Sequence, residues 1–177
     1  QVTLASVNQT QIIDTSGISN SANKNTVSFL PGTVVDNRYE LLRPIGKGAM
    51  GSVFLALDKG LNEKVAIKII DKALFSKHET INFKEEIRLA RRITHRNIIR
   101  TFDFGDWLDF YYITMEYVLG YDLDELIKRK GSLDEHIGIL MARQICSAIS
   151  AAHGQGIIHL DLKPANMMIN RQGILKI

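Results

Sequence analysis

Hydrophobic and polar positions along the chain fall into three regimes. Residues 1 to about 30 are dominated by Ser, Thr, Asn and Gln, hold one aromatic, Phe29, and sustain neither a helical nor a strand period. Residues 1–37 are therefore expected to be a polar, disordered tail or linker. In "RYELLRPIGKGAMGSVFLALDKGLNEKVAIKII" (residues 38–70) apolar and β-branched residues alternate between glycine and polar punctuation. This predicts strands over 39–47, 51–58 and 63–70, the last two joined by a turn at 59–62. Residues 78–94 switch to a helical period, with Phe83, Ile87 and Ala90 on one side and Glu86, Leu89 and Ile93 on the neighbouring one. "NIIRTFDFGDWLDFYYITMEYV" then predicts two more strands around a turn at 105–109, and five strands with one inserted helix make a small α+β lobe.

Past Gly120 the period is helical. "DLDELIKRKG" opens on Asp122, an acid able to cap the first amides, with Glu125 three residues on, and stops at Gly131, whose missing Cβ suits a left-handed C-cap. "SLDE" at 132–135 reads as a capping box for a longer helix. Ile137, Leu140, Met141, Ile145, Ala148, Ile149 and Ala152 give that helix the i, i+3, i+4 rhythm of a buried face. "GIIHLDLKPANMMI" and "GILKI" follow as short apolar runs around polar loops, and no internal repeat is present.

Composition adds limits. The 177 residues, 45% of them apolar, suffice for one domain's core plus a tail. Lys and Arg number 22 against 19 acids, a net charge of +3, and they are scattered, so nucleic acid is not an expected partner. "RR" at 91–92 and "KRK" at 128–130 read as solvated helix faces. The single cysteine, Cys146, excludes an intramolecular disulfide and a multi-cysteine metal site, and its apolar, helical surroundings suggest an inert, buried thiol. It also suits a reducing compartment, and a cytoplasmic location is expected. No apolar run approaches the ~20 residues that span a bilayer, and no basic-then-apolar start reads as a signal peptide.

Three constellations carry chemistry. In "IGKGAMGSVFLA" Gly46, Gly48 and Gly51 have the spacing G-x-G-x-x-G, which lets backbone amides approach a phosphate, although glycine-rich hairpins are common. A dinucleotide-binding fold needs a helix after the third glycine, whereas Val53, Leu55 and Leu57 alternate with Ser52, Phe54 and Ala56 as a strand does. The loop thus joins two strands, and no G-x-x-x-x-G-K-[ST] exists. In "VAIK" (65–68) Lys68 stands among apolar strand residues, where desolvation is costly unless a phosphate or a carboxylate meets it. A snorkelling lysine on an edge strand is equally compatible with that stretch alone. Glu86 is the candidate carboxylate, and spacing leaves Glu85 open. Finally, "GIIHLDLKPANMMIN" (156–170) sets an acid, a lysine and a carboxamide, Asp161, Lys163 and Asn166, within six residues.

Together the glycine loop, VAIK, the helix glutamate, "MEYV" (115–118) and "HLDLKPAN" (159–166) resemble, in order and spacing, the eukaryotic-like protein kinase family. "RYELLRPIGKGAMGSVFLALD" is similar to bacterial Ser/Thr kinases of this type. The resemblance implies a protein-kinase-like α+β fold, with a small lobe over 38–114, a hinge over 115–121 and the start of a helical large lobe over 122–177. It implies ATP and Mg²⁺ as cofactors and a protein bearing Ser or Thr as substrate. Ile45, Gly46, Lys47, Gly48, Ala49, Met50, Gly51, Ser52 and Val53 would cover the nucleotide and its phosphates. Lys68 would hold the α- and β-phosphates, and Glu86 would orient Lys68. Val53 and Ala66 from above and Met168 from below would sandwich adenine, positions that ordinary core packing would equally fill. Met115 would guard the pocket behind adenine, and the backbone of Glu116 and Val118 would bond its edge. Asp122 would sit near the ribose, a role that competes with its helix cap. Asp161 would accept or orient the proton of the substrate hydroxyl, Asn166 would bind one Mg²⁺, and Lys163 would neutralise charge on the moving phosphoryl group. His159, which invites a catalytic dyad with Asp161, is implied instead to be a packing and hydrogen-bonding residue.

Two departures qualify the resemblance. "ILKI" resembles the strand that leads into the family's DFG motif, and Ile177 falls just before that motif is expected. A fragment lacking that aspartate and the activation segment is expected to transfer phosphate poorly or not at all, and to expose apolar surface. The alternative reading is a non-catalytic, kinase-like nucleotide-binding or interaction module, while a small-molecule kinase is disfavoured by Lys163 and the VAIK strand. The second departure is Leu160, which stands where many members carry an arginine that reads a phosphorylated activation loop. The prediction is that the whole protein does not depend on such phosphorylation through this contact. Loss of activity on phosphatase treatment, with that dependence unchanged in Leu160→Arg, would contradict it.

Overall fold

The alternation of apolar residues is realised as strands, and its extent sets the small lobe. In this computed structural model residues 2–3, 29–48 and 50–177 are described, side chains from residue 29 on; Ala49 and residues 1 and 4–28 of the expected tail lie outside them. In chain order the strands are β1 (Val2–Thr3), β2 (Val34–Val35), β3 (Tyr39–Gly48), β4 (Gly51–Asp58), β5 (Glu63–Asp71), β6 (Thr101–Trp107), β7 (Phe110–Glu116), β8 (Gly120–Asp122), β9 (Ile157–Ile158), β10 (Met168–Asn170) and β11 (Leu175–Lys176). The helices are α1 (Lys77–Ala90), α2 (Leu123–Lys130) and α3 (Glu135–His153).

β2 to β7 form one antiparallel sheet in the order β2-β3-β4-β5-β7-β6, six strands where five were expected. The added strand pairs Val34 and Val35 with Glu40 and Tyr39 across a turn whose Asp36 and Asn37 take φ of 49° and 55°, a region these two residue types tolerate. Order therefore reaches back into the expected tail. Phe29 lies on the outer face of the sheet, its ring edge-on to Phe110 at 5.0 Å, over a cluster that includes Leu41, Phe54, Ile67, Ile69 and Tyr112. The inner face takes α1 through Phe83 and Ile87, which pack with Ile70, Tyr111 and Ile113. Both faces are thus apolar, and each needs its cover.

α1 opens on the reciprocal bonds of Ser76 and Glu79, a capping box. It ends at Ala90 rather than near Thr94, because the Arg92 and Ile93 amides turn to carbonyls three residues back, on Leu89 and Ala90. α3 corrects three expectations. Its N-cap is Asp134, whose Oδ1 accepts from His136 N at 2.9 Å and Ile137 N at 3.3 Å, so the Ser132–Glu135 box is not formed. Met141, Ala148 and Ala152 are buried, but Ile137 and Leu140 stand 43% and 40% exposed, so the buried stripe starts only in the second turn. Cys146 lies off that stripe and is exposed, not buried.

β8, β10 and β11 form a second antiparallel sheet, and β1 runs parallel to β9. The lobes meet at buried Asn97: its Nδ2 donates to Leu175 O at 2.7 Å and Gln144 Oε1 at 2.8 Å, and its carbonyl accepts from Ile177 N at 3.0 Å. Among the described residues no helix is long and apolar enough to cross a membrane. The capping correction is testable by urea unfolding. Asp134→Ala is expected to cost about 1 kcal/mol and Ser132→Ala less than about 0.5 kcal/mol; the reverse order would restore the box.

Candidate active site

Two features built from neighbouring elements define the site. The first is a cleft of about 220 Å³ between the lobes. Ile45, Val53 and Ala66 come from β3, β4 and β5, Met115 and Glu116 from the end of β7, Val118 from the connection that follows it, and Asp122, Asn166 and Met168 from the far side. Arg43, Ile99, Tyr117, Gly120, Tyr121, Glu125 and Ala165 also line it and were not foreseen. Tyr117 lies between two residues singled out from MEYV, so the run of that stretch alone could have suggested it. Asp122 caps α2 through a 2.6 Å bond from Glu125 N while also lining the cleft.

The glycine hairpin sits above, with Gly46 opposite Val53, Lys47 opposite Ser52 and Gly48 opposite Gly51; Lys47 and Met50 are exposed. None of the residues from Gly46 to Ser52 that are described lines the cleft itself. A Cβ on Gly51 would stand 2.1 Å from the Ile69 carbonyl oxygen, so this glycine is also required for β4 to approach β5.

Lys68, on β5 opposite Val53 and Ile113, is 1% exposed. Burial pushes its ammonium down to about 8, and the charge of Glu86 on α1 pulls it back up. Glu85, left open by spacing, instead binds the Arg88 guanidinium at 2.5 and 2.8 Å on the exposed face.

The second feature is the loop after β9. A short turn, Pro164–Asn166, brings the Asn166 amide back to Asp161, where Nδ2 donates to the carbonyl at 2.8 Å and to Oδ2 at 2.9 Å. Lys163 Nζ lies 2.9 Å from the same Oδ2. The remaining oxygen of Asn166, Oδ1, is buried with no hydrogen-bond partner among the described residues. An acceptor held in this way by its own amide group fits a hard cation such as Mg²⁺. Among the described residues no group of three or more His, Cys, Asp or Glu could hold a metal, so Asn166 offers one ligand rather than a cage.

Leu160, 67% exposed, has φ of 55° in a three-residue turn closed by Asp161 N donating to His159 O at 2.8 Å. His159 is 3% exposed, and burial holds its imidazole below the usual value against the pull of the Asp161 charge. Neither ring nitrogen finds a hydrogen-bond partner of good geometry among the described residues, so His159 packs without the bond expected of it. Behind the cleft Lys176 Nζ meets Glu116 Oε2 at 2.8 Å, a pairing that spacing did not signal.

Residues 39–177 match the model of the protein kinase domain. The serine/threonine-protein kinase PrkC of Bacillus subtilis is 40% identical over 150 residues, 84% of this chain and 23% of that protein. The serine/threonine-protein kinase pkn3 of Myxococcus xanthus is 39% identical over 140 residues, 78% of this chain and 26% of that protein. The chain thus spans about a quarter of the length of these curated relatives. A crystal structure of Rad53 in complex with AMP-PNP is similar with a TM-score of 0.72 at 30% identity, over 79% of this chain and 37% of that one.

Lys68 gives a pH test. Its ammonium is expected to titrate near 8 in a ¹³Cε-lysine NMR titration, and Glu86→Gln to move the midpoint lower, since the carboxylate raises it. Because the folded value lies below the unfolded one, the unfolded chain binds more protons between about 8 and the ordinary lysine value, and stability attributable to this group rises with pH across that window. An unshifted lysine would contradict the burial argument.

Proposed function

The chain belongs to the protein kinase domain family, and from that premise we propose that the whole protein transfers the γ-phosphoryl group of ATP to Ser or Thr hydroxyls of other proteins. The observation that carries the reading is the cluster of Asp161, Lys163 and Asn166, joined to the interlobe cleft through Asn166, which lines it.

Each part follows from its surroundings. Val53 and Ala66 above and Met168 below offer apolar faces to a flat base, and the backbone of Glu116 and Val118 offers its edge hydrogen bonds. In this reading Asp122, which lines the cleft, accepts from the ribose hydroxyls. Lys68, expensive to keep charged in its site, gains most from a second anion beside Glu86, which suits the α- and β-phosphates. In this reading the backbone amides of the glycine hairpin, at Gly46, Gly48 and Gly51, cover the phosphates. When bound through Asn166 Oδ1, Mg²⁺ supplies positive charge to the phosphate oxygens. Asp161 orients the acceptor hydroxyl and takes its proton on the carboxylate, and the Lys163 ammonium beside it neutralises charge on the transferred group.

The test uses the whole protein with Mg²⁺, labelled ATP and a protein acceptor. Asp161→Asn is expected to lower transfer about 10²- to 10⁴-fold while calorimetric ATP affinity stays within a few fold. Asn166→Ala should raise the Mg²⁺ concentration needed for nucleotide binding and leave metal-free binding unchanged. Equal transfer rates for wild type and Asp161→Asn would remove Asp161 from the mechanism, and label on tyrosine would remove the Ser/Thr assignment.

A further inference from the structure

A second cleft, of about 360 Å³, shares no wall with the interlobe cleft. It lies where the loop after α1, the middle of α3 and the β10–β11 turn meet, with Arg96, Asn97, Arg143, Gln144, Ser147 and Gly173 among its walls. None of its walls is acidic. Arg38, Arg88 and Arg91 each have a carboxylate within 4 Å, at 2.6, 2.5 and 3.6 Å, whereas Arg96 and Arg143 have no ion pair among the described residues.

The floor is fixed. Asn97 Nδ2 donates to Gln144 Oε1, which also accepts from Leu175 N at 2.9 Å, and Gln144 Nε2 donates to Gly173 O at 3.0 Å. One more donor follows from a tautomer. The Asn97 amide donates to His95 Nδ1 at 3.2 Å, so that nitrogen carries no proton and the ring proton is on Nε2. Nε2 then donates to Ser147 Oγ at 3.2 Å, which leaves the Ser147 hydroxyl hydrogen to point elsewhere, and Ser147 lines the cleft. Two guanidinium forks and a hydroxyl donor border one opening, Arg96 from the loop after α1 and Arg143 and Ser147 one turn apart on α3, with no acid among its walls.

We propose that this cleft binds a phosphoryl oxyanion, held by Arg96, Arg143 and the Ser147 hydroxyl. A carboxylate presents two oxygens in one plane, whereas a tetrahedral phosphoryl group presents three oxygens in three directions, and guanidinium forks match it. The reading does not rest on the kinase assignment, because no residue of the interlobe cleft takes part.

The probes are inorganic phosphate, the peptide Ala-phosphoSer-Ala and acetate, titrated into the full chain by calorimetry. Saturable phosphate binding is expected, stronger than acetate, weakened about tenfold or more in Arg96→Gln and in Arg143→Gln and several-fold in Ser147→Ala. It should persist in Lys68→Ala, which disables the other phosphate candidate, and in Arg171→Gln, an exposed arginine outside the cleft. Binding of the peptide as well as the free ion places the phosphoryl group on a protein side chain; binding of the free ion alone places it in solution, and either upholds the site. No saturable binding in the correctly folded chain, loss in Lys68→Ala, or equal loss in Arg171→Gln would overturn it.

Discussion

The burial of one ammonium group constrains everything around it. Lys68 lies in the middle of β5 at 1% exposure, between neighbouring strands and α1, where a lone cation would be intolerable. The charge of Glu86 is its support, and Glu86 stays near only if α1 is docked. That docking is done by Phe83 and Ile87 against Ile70, Tyr111 and Ile113, and by a capping box that fixes where α1 begins. The apolar inner face of the small lobe is thus at once its core and the support of a buried charge.

The floor of the cleft is placed by equally specific contacts. The connection between lobes passes so close to β10 that a Cβ on Gly120 would stand 1.9 Å from the Ile169 carbonyl oxygen. Lys176 holds Glu116 from behind, and Asn97 clamps the loop after α1 to the strand that ends the chain. The Leu160 turn adds strain of the order of 1–2 kcal/mol next to Asp161, the kind of local cost found where a side chain must be aimed.

Much of this was legible in the sequence, because β-branched apolar runs mark strands buried on both faces and a helical period marks a face that packs. β4, β5 and α1 follow from Val53 to Ala56, Val65 to Ile70 and the Phe83–Ile87 stripe, whereas the roles proposed for Lys68, Asp161, Lys163 and Asn166 rest on the resemblance of their motifs. What escaped was decided at longer range. A two-residue strand such as β2 has no period to detect, and Phe29 gains meaning only from Phe110 and Trp107 above the sheet. Ser132 and Asp134 are both competent caps, and local sequence does not choose between them. Glu85 and Glu86 are one residue apart, yet a rotation of 100° per residue sends one to Arg88 in solvent and the other to Lys68. The same geometry puts Cys146 outside, although its neighbours are apolar.

The central claim, that Lys68 and Glu86 act as one unit in building a nucleotide site, is tested most directly by a double-mutant cycle on MgATP affinity in the whole protein. Lys68→Met and Glu86→Gln should each weaken binding, and the double variant should bind about as well as Lys68→Met alone, since the carboxylate acts through the ammonium. Independent, multiplicative losses in the double variant would contradict the account.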